Sequence, residues 1–319
     1  MNIVVLCGGL SVERDVSLSS AMQIAQALRN NGHRAVIIDS FFGYTGKYGD
    51  PADIFSMPYI DPEIGIGQKA PDIDAVKRSR VQDNDSRIGD NVIEICRAAD
   101  IVFMALHGED GEDGKLQAMF DIMDIRYTGC GYFGSALAMN KAVAKCLFRQ
   151  NGILTPESLT LSRGASSYGS VGFPCVVKPC SGGSSVGTSV VYDESEYDAA
   201  LQLAFKYDSS VVIEQFIKGR ECDVGVIAGK ALPVIEICPK SGFYNYENKY
   251  QSGLTDEYCP ADLDDDITAK IQKAAEDVFN TLGLDFYKLP PDEQKILKKI
   301  LSKAPNIKNS PFNFRRKRK

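Results

Sequence analysis

Apolar positions recur along the chain with two different spacings. Ile3-Val4-Val5-Leu6 is a short continuous run closed by Gly8-Gly9, the pattern of a buried strand. Ala21, Ile24, Ala25 and Leu28 then recur at three and four residues, which predicts a helix stopped by Gly32, and Ala35-Val36-Ile37-Ile38-Asp39 predicts a second strand. Strand, helix, strand is the unit of a parallel sheet. Residues 41–92 lose this periodicity and are rich in Gly, Pro and Asp, so they read as a surface insertion with one or two short helices. The core resumes with the strand Ile101-Val102-Phe103-Met104-Ala105-Leu106, a helix at about 115–123 and a short strand at Tyr127-Thr128.

A helical pattern from Ser135 to Asn151 leads to Thr155-Pro156, which reads as a hinge. Beyond it, Cys175–Lys178, Thr188–Val191, Val211–Glu214, Cys222–Ile227 and Leu232–Ile237 are short apolar runs with close turns, predicting a mostly antiparallel sheet. Ile267, Ile271, Ala274, Ala275, Val278, Phe279 and Leu282 predict a helix that opens a third unit. After Gly283 come Pro290-Pro291, one amphipathic series (Ile296, Leu297, Ile300, Leu301) and a basic end.

Composition narrows the class. With 319 residues, 44% hydrophobic and 24% charged, the chain has the make-up of a globular protein of two or three domains. No apolar run approaches the ~20 residues of a membrane-spanning helix, and the first residues lack a signal peptide's basic start and cleavage site, so a cytoplasmic protein is expected. Nine cysteines, scattered and never spaced as Cys-x-x-Cys, suit reduced thiols. With only His33 and His107, imidazole-rich metal sites are excluded. The net charge of -6 hides an asymmetry, because residues 288–319 carry eleven Lys/Arg against two Asp/Glu. No aromatic-interleaved basic face accompanies that tail, so it reads as a solvated basic segment and no nucleic-acid or membrane partner is expected.

Four stretches could carry chemistry. Cys180-Ser181-Gly182-Gly183-Ser184-Ser185-Val186-Gly187 follows a strand ending in Lys178-Pro179, and its amides and hydroxyls suit a phosphate cradle; a flexible hairpin is the competing reading. A following strand, not a helix, separates it from Walker loops and dinucleotide turns. Glu214-Gln215-Phe216-Ile217, with Glu221 beyond, could meet a purine edge and a ribose, or be a solvated strand end. His107-Gly108-Glu109-Asp110-Gly111-Glu112-Asp113-Gly114 ends an apolar strand, where open parallel sheets place ligands. There His107 reads as a site residue whose glycines admit a small ligand, and most of the acids as structural, Glu112 and Asp113 favouring the start of the next helix. Glu13, between the first strand and first helix, could pair with a substrate ammonium or cap the helix.

Together these stretches resemble the D-alanine-D-alanine ligases of the ATP-grasp superfamily. The matching words run in the family's order over residues 1 to about 284: Gly8-Gly9-x-Ser11-x-Glu13-Arg14-x-Val16-Ser17, Leu106-His107-Gly108 with Gly111-Glu112-Asp113-Gly114, Tyr127-Thr128-Gly129, Met139-Asn140-Lys141, Val177-Lys178-Pro179, Gly183–Gly187, Ile213-Glu214 and Tyr246-Glu247-Asn248-Lys249-Tyr250. The resemblance implies an α/β, ATP-grasp architecture: an N-terminal parallel α/β substrate-binding domain (1–134, with the 41–92 insertion), a central ATP-grasp subdomain (135–240), the start of a C-terminal subdomain (241–284) and an atypical basic tail (285–319).

It further implies ligation of two D-alanines through an acyl phosphate, with ATP and Mg2+ or Mn2+, for peptidoglycan synthesis by a cytoplasmic homodimer. Glu13 would hold the first ammonium, with His107 beside its carboxylate. Lys141 and Lys178 would reach the phosphates under the loop Ser181, Gly182, Gly183, Ser184, Ser185, Val186 and Gly187, Ser184 bonding toward Glu13 and Tyr250. Adenine would meet the backbone of Glu214, Gln215, Phe216 and Ile217, ribose would meet Glu221, and Lys249 and Tyr250 would close over the site. Tyr250 points to D-alanine as second substrate, with D-serine as the alternative. After Leu282-Gly283-Leu284 the family's metal- and phosphoryl-binding words are not matched, and neither Asp285 nor Asp292 has the required neighbours. Impaired activity, or a non-catalytic nucleotide-binding remnant, is therefore also expected.

Overall fold

The computed structural model describes residues 1–62, 67, 70–81, 85–165, 169, 171–242, 244–251 and 253–284. The expectations for the basic tail, Asp285 and Asp292 lie outside the described residues. Two compact units divide the chain, one from Met1 to Ser135 and the other beginning at Ala136.

The first unit holds β1 (Asn2–Cys7), α1 (Arg14–Asn30), β2 (Arg34–Asp39), a 3-10 turn at Pro51–Ser56, α2 (Ile73–Arg78), α3 (Val92–Ala98), β3 (Ile101–Met104) and α4 (Lys115–Ile122); α5 (Tyr132–Met139) runs on past Ser135. Its sheet is parallel in the order β2-β1-β3, with Val4 opposite both Val36 and Val102. Strand alternation sends Val4, Leu6, Val36, Ile38 and Val102 to one layer with Phe55, Ile95 and Phe120, and Ile3, Val5, Ala35 and Ile37 to the other with Ala21, Ala25 and Leu28 of α1. Both faces are covered, which is why these strands read as unbroken apolar runs. Ile54 and Phe55 are buried in the first layer, so this part of 41–92 belongs to the core and not the surface. The strand expected at Tyr127-Thr128 is a single bridge from Tyr127 to Val102. Because the chain leaves the central β1 for opposite sides of the sheet, the loops after β1 and β3 meet at a switch point.

The second unit holds α6 (Lys141–Gln150), β4 (Ser158–Ser162), β5 (Cys175–Pro179), β6 (Ser189–Val191), α7 (Glu194–Ala204), β7 (Ser210–Gln215), β8 (Glu221–Asp223), β9 (Val226–Ile227), β10 (Lys230–Ala231), β11 (Ile235–Pro239), α8 (Tyr246–Tyr250), β12 (Thr255–Tyr258) and α9 (Asp265–Thr281). The helix expected over 135–151 breaks at Asn140, whose side chain accepts from the Val143 amide at 3.0 Å and caps α6. The single strand expected over 222–227 is two, since β8 pairs with β11 and β9 with β10.

The antiparallel sheet β4-β7-β5-β6 has two unlike faces. Leu161, Cys175, Val177, Val211 and Ile213 pack on Tyr197, Ala200, Leu201 and Ala204 of α7. The alternate positions Val176, Lys178, Val212 and Glu214 share the other face, Val176 opposite Glu214 and Lys178 opposite Val212. No described helix is long and apolar enough to cross a membrane.

Candidate active site

In the first unit the loops after β1 and β3 are stitched together. Ser17 accepts from the Gly8 amide at 2.9 Å and donates to the Ala105 carbonyl at 2.7 Å. Arg14 forms an ion pair with Asp39, donates to the Gly9 carbonyl at 2.8 Å and lies 4.9 Å above the Phe42 ring. Asp39 also accepts from the amides of Phe41 (2.8 Å) and Phe42 (3.1 Å). Gly8, at φ 72°, leaves no room for a Cβ, which would strike the Asp39 carboxylate.

This frame places Glu13, which is 5% exposed, at the start of α1, where its side chain makes no capping bond. Glu13 thus occupies the N-cap position through its backbone, its carbonyl accepting from the Ser17 amide at 3.0 Å, and not through its side chain. His107 Nε2 lies 3.2 Å from Ser20 Oγ. Burial lowers its pKa, against the pull of Glu13, so the ring is neutral at pH 7. Gly108, at φ 72°, backs onto the cluster: a Cβ there would stand 2.5 Å from Ser11 Oγ and 3.0 Å from Glu13 Oε2. This glycine thus makes room for Glu13 itself.

The neighbouring acids divide. Asp110 takes a bidentate grip from Arg87 at 2.6–3.0 Å, and Asp113 accepts from the Lys115 amide at 3.1 Å and its ammonium at 2.6 Å. The Glu112 carboxyl is bonded instead by the Gly108 amide. Desolvation pushes it up to about 7, the Gly108 amide opposes the rise and Glu13 adds to it. A carboxyl raised from its unfolded value favours the fold below pH 4.5 and loses that contribution as pH climbs toward 7. Glu112→Gln is therefore expected to raise the melting temperature at pH 8 and leave it unchanged near pH 4.5; an equal shift at both pH values would contradict this.

In the second unit the polar sheet face and α6 gather three ammonium groups. Glu214, buried, accepts from Lys178 on β5 and from Lys145 on α6, the latter at 2.9 Å. Burial raises the Glu214 pKa, but the two lysines outweigh it and hold the carboxyl below its usual range. Lys141 donates to the Gly182 carbonyl at 2.7 Å; burial and then Lys178 lower its pKa to about 8, leaving it mostly charged at pH 7. Asp208 anchors the glycine-serine loop by accepting from the Ser181 amide at 2.7 Å, Ser184 Oγ accepts from the Val186 amide at 3.2 Å, and the buried Ser185 Oγ has no hydrogen-bond partner among the described residues. Gly187 is required, because a Cβ would lie 2.7 Å from the Tyr207 ring.

The amides of Gln215 and Phe216 are taken by the Glu157 and Pro174 carbonyls, and Ile217, 60% exposed, continues the stretch outward. Glu221 on β8 is raised by desolvation, with Lys249 opposing and Asp223 adding. On α8, Lys249 Nζ lies 5.2 Å over the Tyr244 ring, and Tyr250 packs edge-on against Tyr246 at 4.9 Å. Lys145, Asp208 and the Arg14–Asp39 pair were not anticipated. For Lys145 a signal existed, since it stands one helical turn after Lys141. Among the described residues no group of three or more His, Cys, Asp or Glu is placed to hold a metal ion. The described residues therefore offer no Mg2+ site of that kind.

The models of the D-ala D-ala ligase N-terminus and C-terminus match residues 2–130 and 149–287. The D-alanine--D-alanine ligase of Pediococcus pentosaceus is 40% identical over 291 residues, 90% of this chain and 83% of its own. That of Lacticaseibacillus casei is 40% identical over 290 residues, 90% and 81% of the two chains. Among solved structures, D-alanine--D-alanine ligase from Bacillus anthracis complexed with ATP superposes with a TM-score of 0.63 at 27% identity, over 90% of this chain and 79% of that one. VanG D-Ala:D-Ser ligase from Enterococcus faecalis superposes at 0.59 and 29% identity, over 89% and 83%. With an ATP-grasp fold and both halves matched, the chain belongs to the D-alanine--D-alanine ligase family.

Proposed function

We propose that the chain joins two D-alanine molecules at the expense of ATP to make the dipeptide for peptidoglycan. The observation that carries this is the polar sheet face under the glycine-serine loop, where Lys141, Lys178 and the unpartnered Ser185 hydroxyl offer donors suited to a polyphosphate. ATP's terminal phosphoryl group passes to the carboxylate of the first D-alanine, giving an acyl phosphate. The amine of the second attacks the acyl carbon, and the tetrahedral intermediate collapses to dipeptide and phosphate. Ammonium groups and backbone donors stabilise the charge that builds on the transferring group. Glu13 holds the first ammonium, neutral His107 offers a hydrogen bond without charge beside the carboxylate, and Lys249 and Tyr250 help exclude water from the acyl phosphate.

The test is phosphate release and dipeptide formation with ATP, Mg2+ and D-alanine, with D-serine as a second acceptor. Glu13→Gln is expected to raise KM for D-alanine about tenfold or more, the worth of one charge-assisted hydrogen bond, and to leave ATP binding unchanged. ATP bound without turnover in the unmodified chain would overturn the ligase reading in favour of a nucleotide-binding protein. Dipeptide only with D-serine as acceptor would reassign the second substrate.

A further inference from the structure

Lys145 is buried, only 6% exposed, and nothing in the proposed chemistry uses it. Its ammonium donates to Glu214 Oε2 at 2.9 Å and to Thr155 Oγ1 at 2.7 Å. Glu214 Oε1 is meanwhile engaged by Lys178. One buried carboxylate therefore bridges two lysines of unlike situation. Lys145 is enclosed, whereas Lys178 is less enclosed, on a strand that leads directly into the glycine-serine loop.

We propose that Lys145 is a positioning residue: it holds Glu214 ionised and oriented on its own, so that Lys178 can leave that carboxylate for a phosphate oxygen when a nucleotide enters. The inference rests on the ATP-dependent reading above. Its physical basis is the cost of an unpaired buried charge. If Lys178 were the sole partner of Glu214, its turn toward phosphate would strand a carboxylate inside protein, and the nucleotide would have to offset that cost. With Lys145 in place the carboxylate keeps one full ion pair and a fixed rotamer, and the exchange is between two acceptors of the same sign. Lys145 and Lys141 stand one turn apart on α6, so a single helix sets both the ammonium under the loop and the lysine that holds Glu214 behind Lys178.

Titration calorimetry of the full chain with adenylyl imidodiphosphate and Mg2+, in buffers of different ionisation enthalpy, measures affinity and proton uptake together. Lys145→Met keeps the bulk and removes the charge. It is expected to weaken nucleotide binding at least tenfold and to increase proton uptake on binding, because Glu214 takes a proton once Lys178 departs. Lys145→Arg is expected to restore most of the affinity, and KM for D-alanine is expected to change less than twofold. In the Glu214→Gln background, adding Lys145→Met is expected to cost less than threefold, and this pair decides the matter should the single variant fail to fold. Unchanged affinity and proton uptake in Lys145→Met, or a full tenfold loss in the Glu214→Gln background, overturns the role of Lys145. No binding by the unmodified chain overturns the ATP reading itself, and the role of Lys145 with it.

Discussion

Lys178→Ala is expected to lower ATP-dependent phosphate release on the order of a hundredfold or more. The lysine sits on the polar face of β5, half-buried, one strand away from Glu214 and at the entrance to the glycine-serine loop. A phosphoryl transfer leaves little covalent work to the protein, so a fixed ammonium beside the polyanion supplies much of what can be supplied. The substitution leaves Glu214 paired with Lys145, and the opposite face of β5 keeps its packing on α7. Stability should therefore change little while turnover collapses. A variant that retains more than a tenth of the parent rate in a phosphate-release assay would remove Lys178 from the chemistry.

The second large effect concerns the frame around Glu13. Arg14→Met is expected to destabilise the first unit by about 3–5 kcal/mol, the usual result of stripping one partner from a buried ion pair. Side-chain exposures of 9% and 13% for Arg14 and Asp39 place the pair in that regime and outside that of surface salt bridges. The arginine also holds the Gly9 carbonyl, so the loop carrying Glu13 should loosen and KM for D-alanine should rise with the loss of stability. Adding Asp39→Asn to Arg14→Met removes the stranded charge and should recover a large part of the stability. Urea unfolding of the two variants and the parent checks this, and a double variant less stable than Arg14→Met would contradict it.

The strands β1, β2, β3, β5 and β7 were legible because burial on both faces, or on one face with long apolar neighbours, leaves an unbroken run of Val and Ile. By contrast β4, Ser158-Leu159-Thr160-Leu161-Ser162, is an edge strand with alternating hydroxyls and resembles a loop. β12 is nearly all polar, and α8 is too short to show a period. For α7 the sequence carries a local signal, since Asp193 before Tyr197, Ala200, Leu201 and Ala204 is a cap followed by an apolar stripe. Lys178 was visible because a charge on an otherwise apolar strand demands a partner, and Glu13 because a carboxylate stood in the loop between the first strand and the first helix. The i, i+4 spacing of Lys141 and Lys145 shows only that the two share a helix face; the pairings of Lys145 with Glu214 and of Asp208 with the Ser181 amide span 69 and 27 residues, and no local pattern reports them.

The unlike faces of the four-stranded sheet tie chemistry to strand pairing. Were β5 to slide by a single residue against β7, Val177 would occupy the place of Lys178, and the lysine's ammonium would be driven among Tyr197, Ala200 and Leu201. The same side chain proposed to serve the phosphates thereby acts as a pin against misalignment, penalising every odd-numbered slip with a buried charge. An enzyme that loses this lysine forfeits its guard against mispairing along with its turnover, and refolding yield becomes a second, independent reading of what the residue contributes.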